Sequence, residues 1–345
     1  MKILKLSIPG VAKNADISQF LGNNSNIYNG WEIHINDETA KANAWGIIED
    51  LHEKESYCDV SGKNTFFLSA ENSHPFGHYS ESNWRMNFLN QFNRIYSCHD
   101  IFLKNAYQEI PYLPWMINSN HGSSIFAPHK RDKTFFESLT SIPKNKKLSV
   151  FCSNQSLGPG HRLRYRFVSK LKEHFQDDLD WYGNGVNQLS EKWNGISEYK
   201  YTIVLENQLK YNGVTEKIFD AFLGLAVPIY WGAPNISEYF SQKAIININI
   251  ENLGGSIETI EESLTSDSYE EFLPYLIESK NRVINDYNFV KRIIDTAEIG
   301  DINSKSILIN LKSECDFQPK SEKRVYKIKH HGKSLLDFFS KVNRI

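Results

Sequence analysis

Between residues 147 and 250, short apolar strands alternate with helical stretches, a pattern suited to a parallel sheet covered by helices. Residues 147–153 (KLSVFCS) form a compact apolar run, a Gly/Pro turn (SLGPGH) follows, and 162–175 carries Leu163, Phe167, Val168 and Leu171 at helical spacing. A second strand at 180–182 ends in Gly183 and Gly185, and a third at 201–205 (YTIVL) leads through a polar turn into a helix over 215–225. Strands at 227–231 and 244–250 continue the alternation. The expectation is a doubly wound α/β domain.

The first 145 residues are less regular. Residues 65–69 (TFFLS) and 101–102 read as strands between polar, aromatic-rich loops, and 141–147 (SIPKNKK) has the composition of an exposed connection. The expected organisation is a first domain over 1–145, a second domain over 146–318 and a basic tail over 319–345. The 345 residues, 40% hydrophobic and 13% aromatic, supply cores for two such domains and exclude a disordered, fibrous or disulfide-stapled chain.

With 39 Lys+Arg against 41 Asp+Glu there is no global field for a polyanion, so nucleic acid is not expected as a partner. Cys58, Cys98, Cys152 and Cys315 are scattered without C-x-x-C spacing and read as free buried thiols of a reducing compartment. The opening MKILKLSIPG is too interrupted by lysine for a signal peptide, and no apolar run reaches the roughly 18 residues of a spanning helix. A cytoplasmic protein is expected. From Lys320 onward eight Lys/Arg face two Asp/Glu, leaving −8 on the rest of the chain. This tail admits two readings, a final helix packed on the protein or a peripheral contact with anionic membrane.

Chemistry concentrates in 199–232, YKYTIVLENQLKYNGVTEKIFDAFLGLAVPIYWG. A strand delivers Glu206 and Asn207 into a loop ending at Thr215, whose hydroxyl can cap the next helix. The first turn of that helix attracts anions through its unpaired N–H groups, and Lys217 adds a full charge for a diphosphate oxygen. Glu206 and Glu216 can accept from ribose or sugar hydroxyls. The same residues also suit a plain capped helix. Around 158–166, Gly158 and Gly160 permit close approach to an anion while Arg162, Arg164 and Arg166 crowd the helix start, or simply form a solvated basic face. Glu71, just after the strand TFFLS, stands where a crevice carboxylate would act as general base, or where a turn carboxylate would sit. Asp178-Leu179-Asp180 has the D-x-D form but precedes a strand and reads as a turn. Trp31, Phe76, Tyr79 and Trp84 suit either sugar stacking or a core.

The run YKYTIVLENQLKYNGVTEKIFDAFLGLAVPIYWGAPNISEYF resembles the signature of glycosyltransferase family 10, the α-1,3/α-1,4-fucosyltransferases, whose pattern is approximately YKF-x4-FEN-x6-(Y)-(I/V)-TEK with a following helix and VP-x3-G. Ser153–Asn154 with Arg164, Phe167 and Leu171 is similar to a second family segment, and LSAENSHP to a third. The resemblance implies the GT-B arrangement, two Rossmann-like domains facing across a cleft, with the first domain binding the acceptor and the second holding GDP-fucose. It implies Arg164 and Lys217 on the diphosphate, Glu216 on the donor sugar, Glu206 and Asn207 in the nucleotide-sugar pocket, and Glu71 as the base. An E-x7-E pattern of retaining enzymes would need a carboxylate at 224, where Gly224 stands, so inversion is expected.

The implied reaction moves L-fucose from GDP-fucose to a hydroxyl of a GlcNAc- or glucose-containing oligosaccharide or glycolipid, in lipopolysaccharide or surface-glycan synthesis, with no obligatory metal and no cofactor beyond the co-substrate. Gly213 stands where the family commonly has Tyr, and Leu205 where it has Phe. Tyr211, two residues earlier, takes the donor-binding place if the loop rearranges. The alternatives are another GDP-sugar donor on the same fold and a non-catalytic glycan- or nucleotide-binding module.

Overall fold

The computed structural model describes residues 1–23, 25–72, 83–119, 126, 129–154, 158–266 and 268–320. It divides the chain into two compact units, one of 1–112, 122–133 and 288–345, the other of 113–121 and 134–287.

In the first unit the strands are β1 (Lys2–Ser7), β2 (Ile27–Tyr28), β3 (Trp31–Ile35), β4 (Lys41–Ala42), β5 (Ala44–Ile48), β6 (Glu55–Ser61), β7 (Thr65–Leu68), β8 (Arg94–Ser97) and β9 (Ala106–Gln108), with helices α1 (Ser18–Leu21) and α2 (Asn83–Leu89). The main sheet runs β2-β3-β1-β5-β7-β8-β9 and is parallel except for the edge strand β2. All five residues of β5 and all four of β7 and β8 are buried, as strands covered on both faces must be. Residues 101–102 do not form the expected strand: the chain there links β8 to β9, and Phe102 is 80% exposed.

The second unit holds α3 (Lys133–Ser138), β10 (Lys146–Phe151), α4 (Pro159–Phe175), β11 (Leu179–Tyr182), β12 (Tyr199–Leu205), α5 (Glu216–Leu223), β13 (Val227–Trp231), β14 (Ile246–Asn247), α6 (Leu253–Ser266) and α7 (Tyr269–Asn285). Its sheet is wholly parallel in the order β11-β10-β12-β13-β14. The chain leaves β10 for β11 on one side and returns to β12 on the other. Loops at the carboxyl ends of β10 and β12 therefore diverge and leave a crevice between them, the usual ligand position in such sheets. The last expected strand shrinks to β14.

The chain then returns to the first unit through α8 (Phe289–Glu298), β15 (Ser306–Lys312) and α9 (Glu314–Phe317). This corrects the linear division over 1–145 and 146–318. Helix α8 buries Phe289, Val290, Ile293, Ile294 and Ala297. The Phe289 ring packs on Phe20 at 5.5 Å, Asn64 Nδ2 donates to Ala297 O at 2.9 Å, and Trp31 Nε1 to Glu298 Oε1 at 3.0 Å. Strand β15 pairs antiparallel with β6 over seven residues, making the sheet β15-β6-β4. The basic tail from 321 on, with its membrane reading, lies outside the described residues, as do Phe76 and Tyr79. Trp31 and Trp84 are buried and belong to the core.

All four cysteines are free; three are buried, and Cys315 is partly exposed. Asp178 closes a single 3-10 turn, and Asp180, in β11, accepts the Tyr199 hydroxyl at 2.5 Å.

Candidate functional site

In the second unit the crevice between β10 and β12 is built around Glu206. β12 places this residue directly after its last apolar position, and the carboxylate is fully buried. It accepts the Thr215 N–H at 3.0 Å and the Thr215 hydroxyl at 2.8 Å from both oxygens, and it faces Lys217 Nζ at 3.3 Å. Lys217 Nζ also donates to Thr215 Oγ1 at 2.9 Å and lies 3.3 Å from Glu216 Oε1. A buried charge without such partners would cost several kcal/mol, roughly 3–5 when one member of a pair is removed. Glu206 thus fastens the start of α5 to the end of β12.

This use of Thr215 corrects the expected cap. Thr215 is the N-cap residue of α5, yet its side chain makes no capping hydrogen bond, because the hydroxyl is turned to Glu206. Helix α4 begins at Gly158, likewise without a side-chain cap. Two helix starts in one crevice consequently lack side-chain caps, the condition under which backbone N–H groups attract an anion.

Gly160 has a different purpose from the one read in the sequence. A methyl there would overlap the Asn207 carbonyl, so the glycine lets the first turn of α4 lie against the Glu206–Asn207 loop. Gly232, after β13, has a similar purpose: a Cβ would fall 2.5 Å from Glu206 Cγ and also meet the Tyr230 hydroxyl.

Arg164 joins this arrangement from α4. It is 7% exposed, its Nη1 donates to Leu205 O at 3.1 Å, and its buried Nε has no hydrogen-bond partner among the described residues. Burial and the charges of Arg164 and Lys217 push His161 down to about 4, so the imidazole stays neutral beside the two cations. Two positive side chains and two helix starts therefore act on the same volume. Arg162 and Arg166 are exposed.

Glu216 is buried in the first turn of α5. Burial raises its carboxyl, but Lys217, Lys192 and hydrogen bonds from Lys217 and Thr215 outweigh this and hold it below its ordinary value. One turn further, Asp220 is fully buried, accepts the Met116 N–H at 2.8 Å and pairs with Lys192 Nζ at 2.5 Å. Burial pushes Asp220 up to about 6, against the opposing pull of Lys192. Sequence inspection missed His161, Lys192 and Asp220. Only the i, i+4 spacing of Glu216 and Asp220 offered a signal.

Tyr211 stands apart from these residues and is 62% exposed. Asn212, at φ +58°, turns the loop, its N–H donates to Asn235 Oδ1 at 2.9 Å, and Asn235 Nδ2 returns a bond to Asn212 Oδ1 at 2.7 Å. Gly213 N–H closes the turn on Lys210 O at 3.0 Å, and a Cβ at 213 would press on that carbonyl at the same distance.

In the first unit Glu71 follows β7 and is half-buried. Its N–H donates to Glu49 Oε1 at 3.0 Å, and its carbonyl faces His99 Nε2 at 2.9 Å. Glu49 and His99 also escaped the sequence reading. A clue was present in AWGIIED and YTIVLEN, each of which sets a glutamate directly after an apolar strand. Among the described residues no three His, Cys, Asp or Glu side chains gather as a metal site requires, and no helix is long and apolar enough to cross a membrane.

Residues 142–273 match the model of glycosyltransferase family 10 (fucosyltransferase), C-terminal domain. Over 54 residues the chain is 41% identical to the α-(1,3)-fucosyltransferase FucT of Helicobacter pylori; the match covers 16% of this chain and 11% of that relative's length. A crystal structure of an α1,3-fucosyltransferase with GDP-fucose aligns over 89% of this chain and 91% of its own, at 17% identity and a TM-score of 0.52. Another α1,3-fucosyltransferase structure aligns over 88% and 92%, at 14% identity and 0.50. The fold is thus of the GT-B class, α/β units on parallel sheets.

Proposed function

We propose that the chain, whose residues 142–273 match the model of glycosyltransferase family 10, is an inverting fucosyltransferase, taking L-fucose from GDP-fucose to a hydroxyl of a GlcNAc- or glucose-containing oligosaccharide or glycolipid. The observation that carries the donor half is the crevice of the second unit. Arg164, Lys217 and the uncapped starts of α4 and α5 supply the positive field that a nucleotide diphosphate needs. GDP-fucose, with which the related α1,3-fucosyltransferase was crystallised, is an anion of this kind.

In the proposed step Glu71 takes the proton of the acceptor hydroxyl as its oxygen attacks the anomeric carbon on the face opposite GDP. The bond from that carbon to the β-phosphate oxygen breaks, and GDP leaves with the electron pair. The β-linked donor gives an α-linked product. Arg164, Lys217 and the two helix starts offset the charge that grows on GDP, and the reaction proceeds in EDTA. Asn207 and Glu216 line the sugar side, Tyr211 lies at the rim, and Glu206 acts through Thr215 and Lys217. We place the reaction on the cytoplasmic side, in surface-glycan or lipopolysaccharide synthesis, with the basic tail as peripheral membrane contact.

The test is transfer and donor hydrolysis by the purified protein with GDP-fucose, GDP-mannose, UDP-glucose and UDP-GlcNAc, offered LacNAc-type and lipopolysaccharide-type acceptors in EDTA. Turnover of GDP-fucose alone supports the proposal. Turnover of another GDP-sugar would trace to the Asn212–Gly213 turn and its exposed Tyr211, and would overturn the donor assignment. GDP binding without turnover would make the chain a binding module.

A further inference from the structure

We propose that Glu49 is a positioning residue for Glu71, and that its carboxylate fixes the backbone from which the base projects; the proposal rests on the reading of Glu71 given above. Glu49 follows β5 directly, is 8% exposed and adopts φ +64°. That left-handed conformation costs a residue other than glycine about 1–2 kcal/mol, so the surroundings must hold it there.

What holds it is visible in the neighbouring loop. Oε1 of Glu49 accepts from three consecutive residues after β7: the Ser69 hydroxyl at 3.0 Å, the Ala70 N–H at 2.5 Å and the Glu71 N–H at 3.0 Å. The other side of the same turn is held at the Glu71 carbonyl, by His99 Nε2 at 2.9 Å.

The Ser69 N–H still pairs with Tyr96 O at 2.9 Å, and beyond it the N–H groups of Ala70 and Glu71 need acceptors inside the protein. A carboxylate supplies them on one oxygen with charge-assisted bonds, which are shorter and stronger than bonds to a neutral carbonyl. Residue 71 is thereby fixed at both its N–H and its C=O. Proton abstraction depends on such fixity, because a displacement of about 1 Å costs roughly 100-fold in rate.

The test is a double-mutant cycle of wild type, Glu49→Ala, Glu71→Gln and the double variant, read as transfer kcat, donor and acceptor KM, GDP Kd and melting temperature. Glu49→Ala is expected to lower kcat about 10- to 100-fold while GDP Kd stays within about twofold. In the Glu71→Gln background the same substitution is expected to cost nothing further, since a positioning residue acts only through its partner. Glu49→Gln, which keeps an acceptor oxygen on the same stem, is expected to recover most of kcat. Should Glu49→Ala not fold, Glu49→Asp, one methylene too short to reach the turn, takes its place in the cycle. Equal losses in both backgrounds would overturn the role of Glu49 alone. Full activity of Glu71→Gln would overturn the reading of Glu71 and with it the present proposal.

Discussion

In each unit a strand beside the point where the sheet order reverses is followed directly by a buried glutamate: Glu49 after β5, Glu206 after β12. Each donates its own N–H to the last carbonyl of the next strand, Leu68 at 3.0 Å and Trp231 at 2.9 Å. The two carboxylates then diverge. Glu206 grips the Thr215 amide and hydroxyl together with Lys217, and so sets a cation at a helix start. Glu49 grips the Ser69 hydroxyl and the amides of Ala70 and Glu71, and so sets another carboxylate. In our proposal one position in the topology thus serves anion binding in one unit and proton transfer in the other. The partner that each glutamate selects makes the difference.

The sharpest way to break this comparison is Glu71→Gln. Loss of a general base lowers kcat by about 10²- to 10⁴-fold, and GDP Kd should not move because the proposed donor residues belong to the other unit. A parallel loss of GDP binding, measured by calorimetry, would contradict the division of labour. Next in size, Arg164→Ala and Lys217→Ala should each weaken GDP binding by about 10- to 100-fold, the worth of a charge-assisted hydrogen bond. Normal GDP binding by the double variant would remove the anion site from the second unit.

Acidity separates the units more gently. Burial pushes Asp50, beside Glu49, up to about 8, and Asp220 up to about 6. Such carboxyls keep their proton in the folded state where the unfolded chain has lost it. Stability is therefore lost as pH rises from the ordinary carboxylate range, through 6 for the second unit and through 8 for the first, at up to about 1.4 kcal/mol per pH unit. Burial also holds Lys144 down to about 7. Above that pH the folded amine is neutral while the unfolded one still binds a proton, so the second unit gains stability as the first still declines. Pulse proteolysis from pH 5 to 8 resolves the two trends, and Asp50→Asn should flatten the first. The smallest effect expected is that of Tyr211→Ala, within about 0.5 kcal/mol of stability for an exposed side chain. A clear rise in donor KM in that variant would show that the rim residue touches the sugar.

Local pattern carried much of the second unit into view. The strand expected at 227–231 is β13 residue for residue, and the helix after Thr215 differs only at its ends. The residues of the proposed anion site were legible because a strand, a polar loop and T-E-K follow one another within one short stretch of chain. Where the pattern failed, a polar group was hidden by its tertiary partner. β8 begins with Arg94, a charge that masks a buried strand, and its guanidinium is satisfied by Thr296 O and by Asn64, both distant in sequence. Thr215 has the form of a cap, but its hydroxyl is taken by a carboxylate nine residues back. The return of α8 and β15 to the first unit left no periodic trace, since β15 finds β6 across some 250 residues.

That return bears on how the protein is made. β1 through β9 leave the ribosome before the second unit, yet the helix that covers Phe20 and the strand that completes the β6 sheet come after residue 288. The second unit, whose last residue is Tyr287, can close while synthesis continues. The earlier sheet waits with exposed apolar surface until residues 289–312 have been made, so a nascent product halted near residue 285 would present one folded unit and one that invites chaperones.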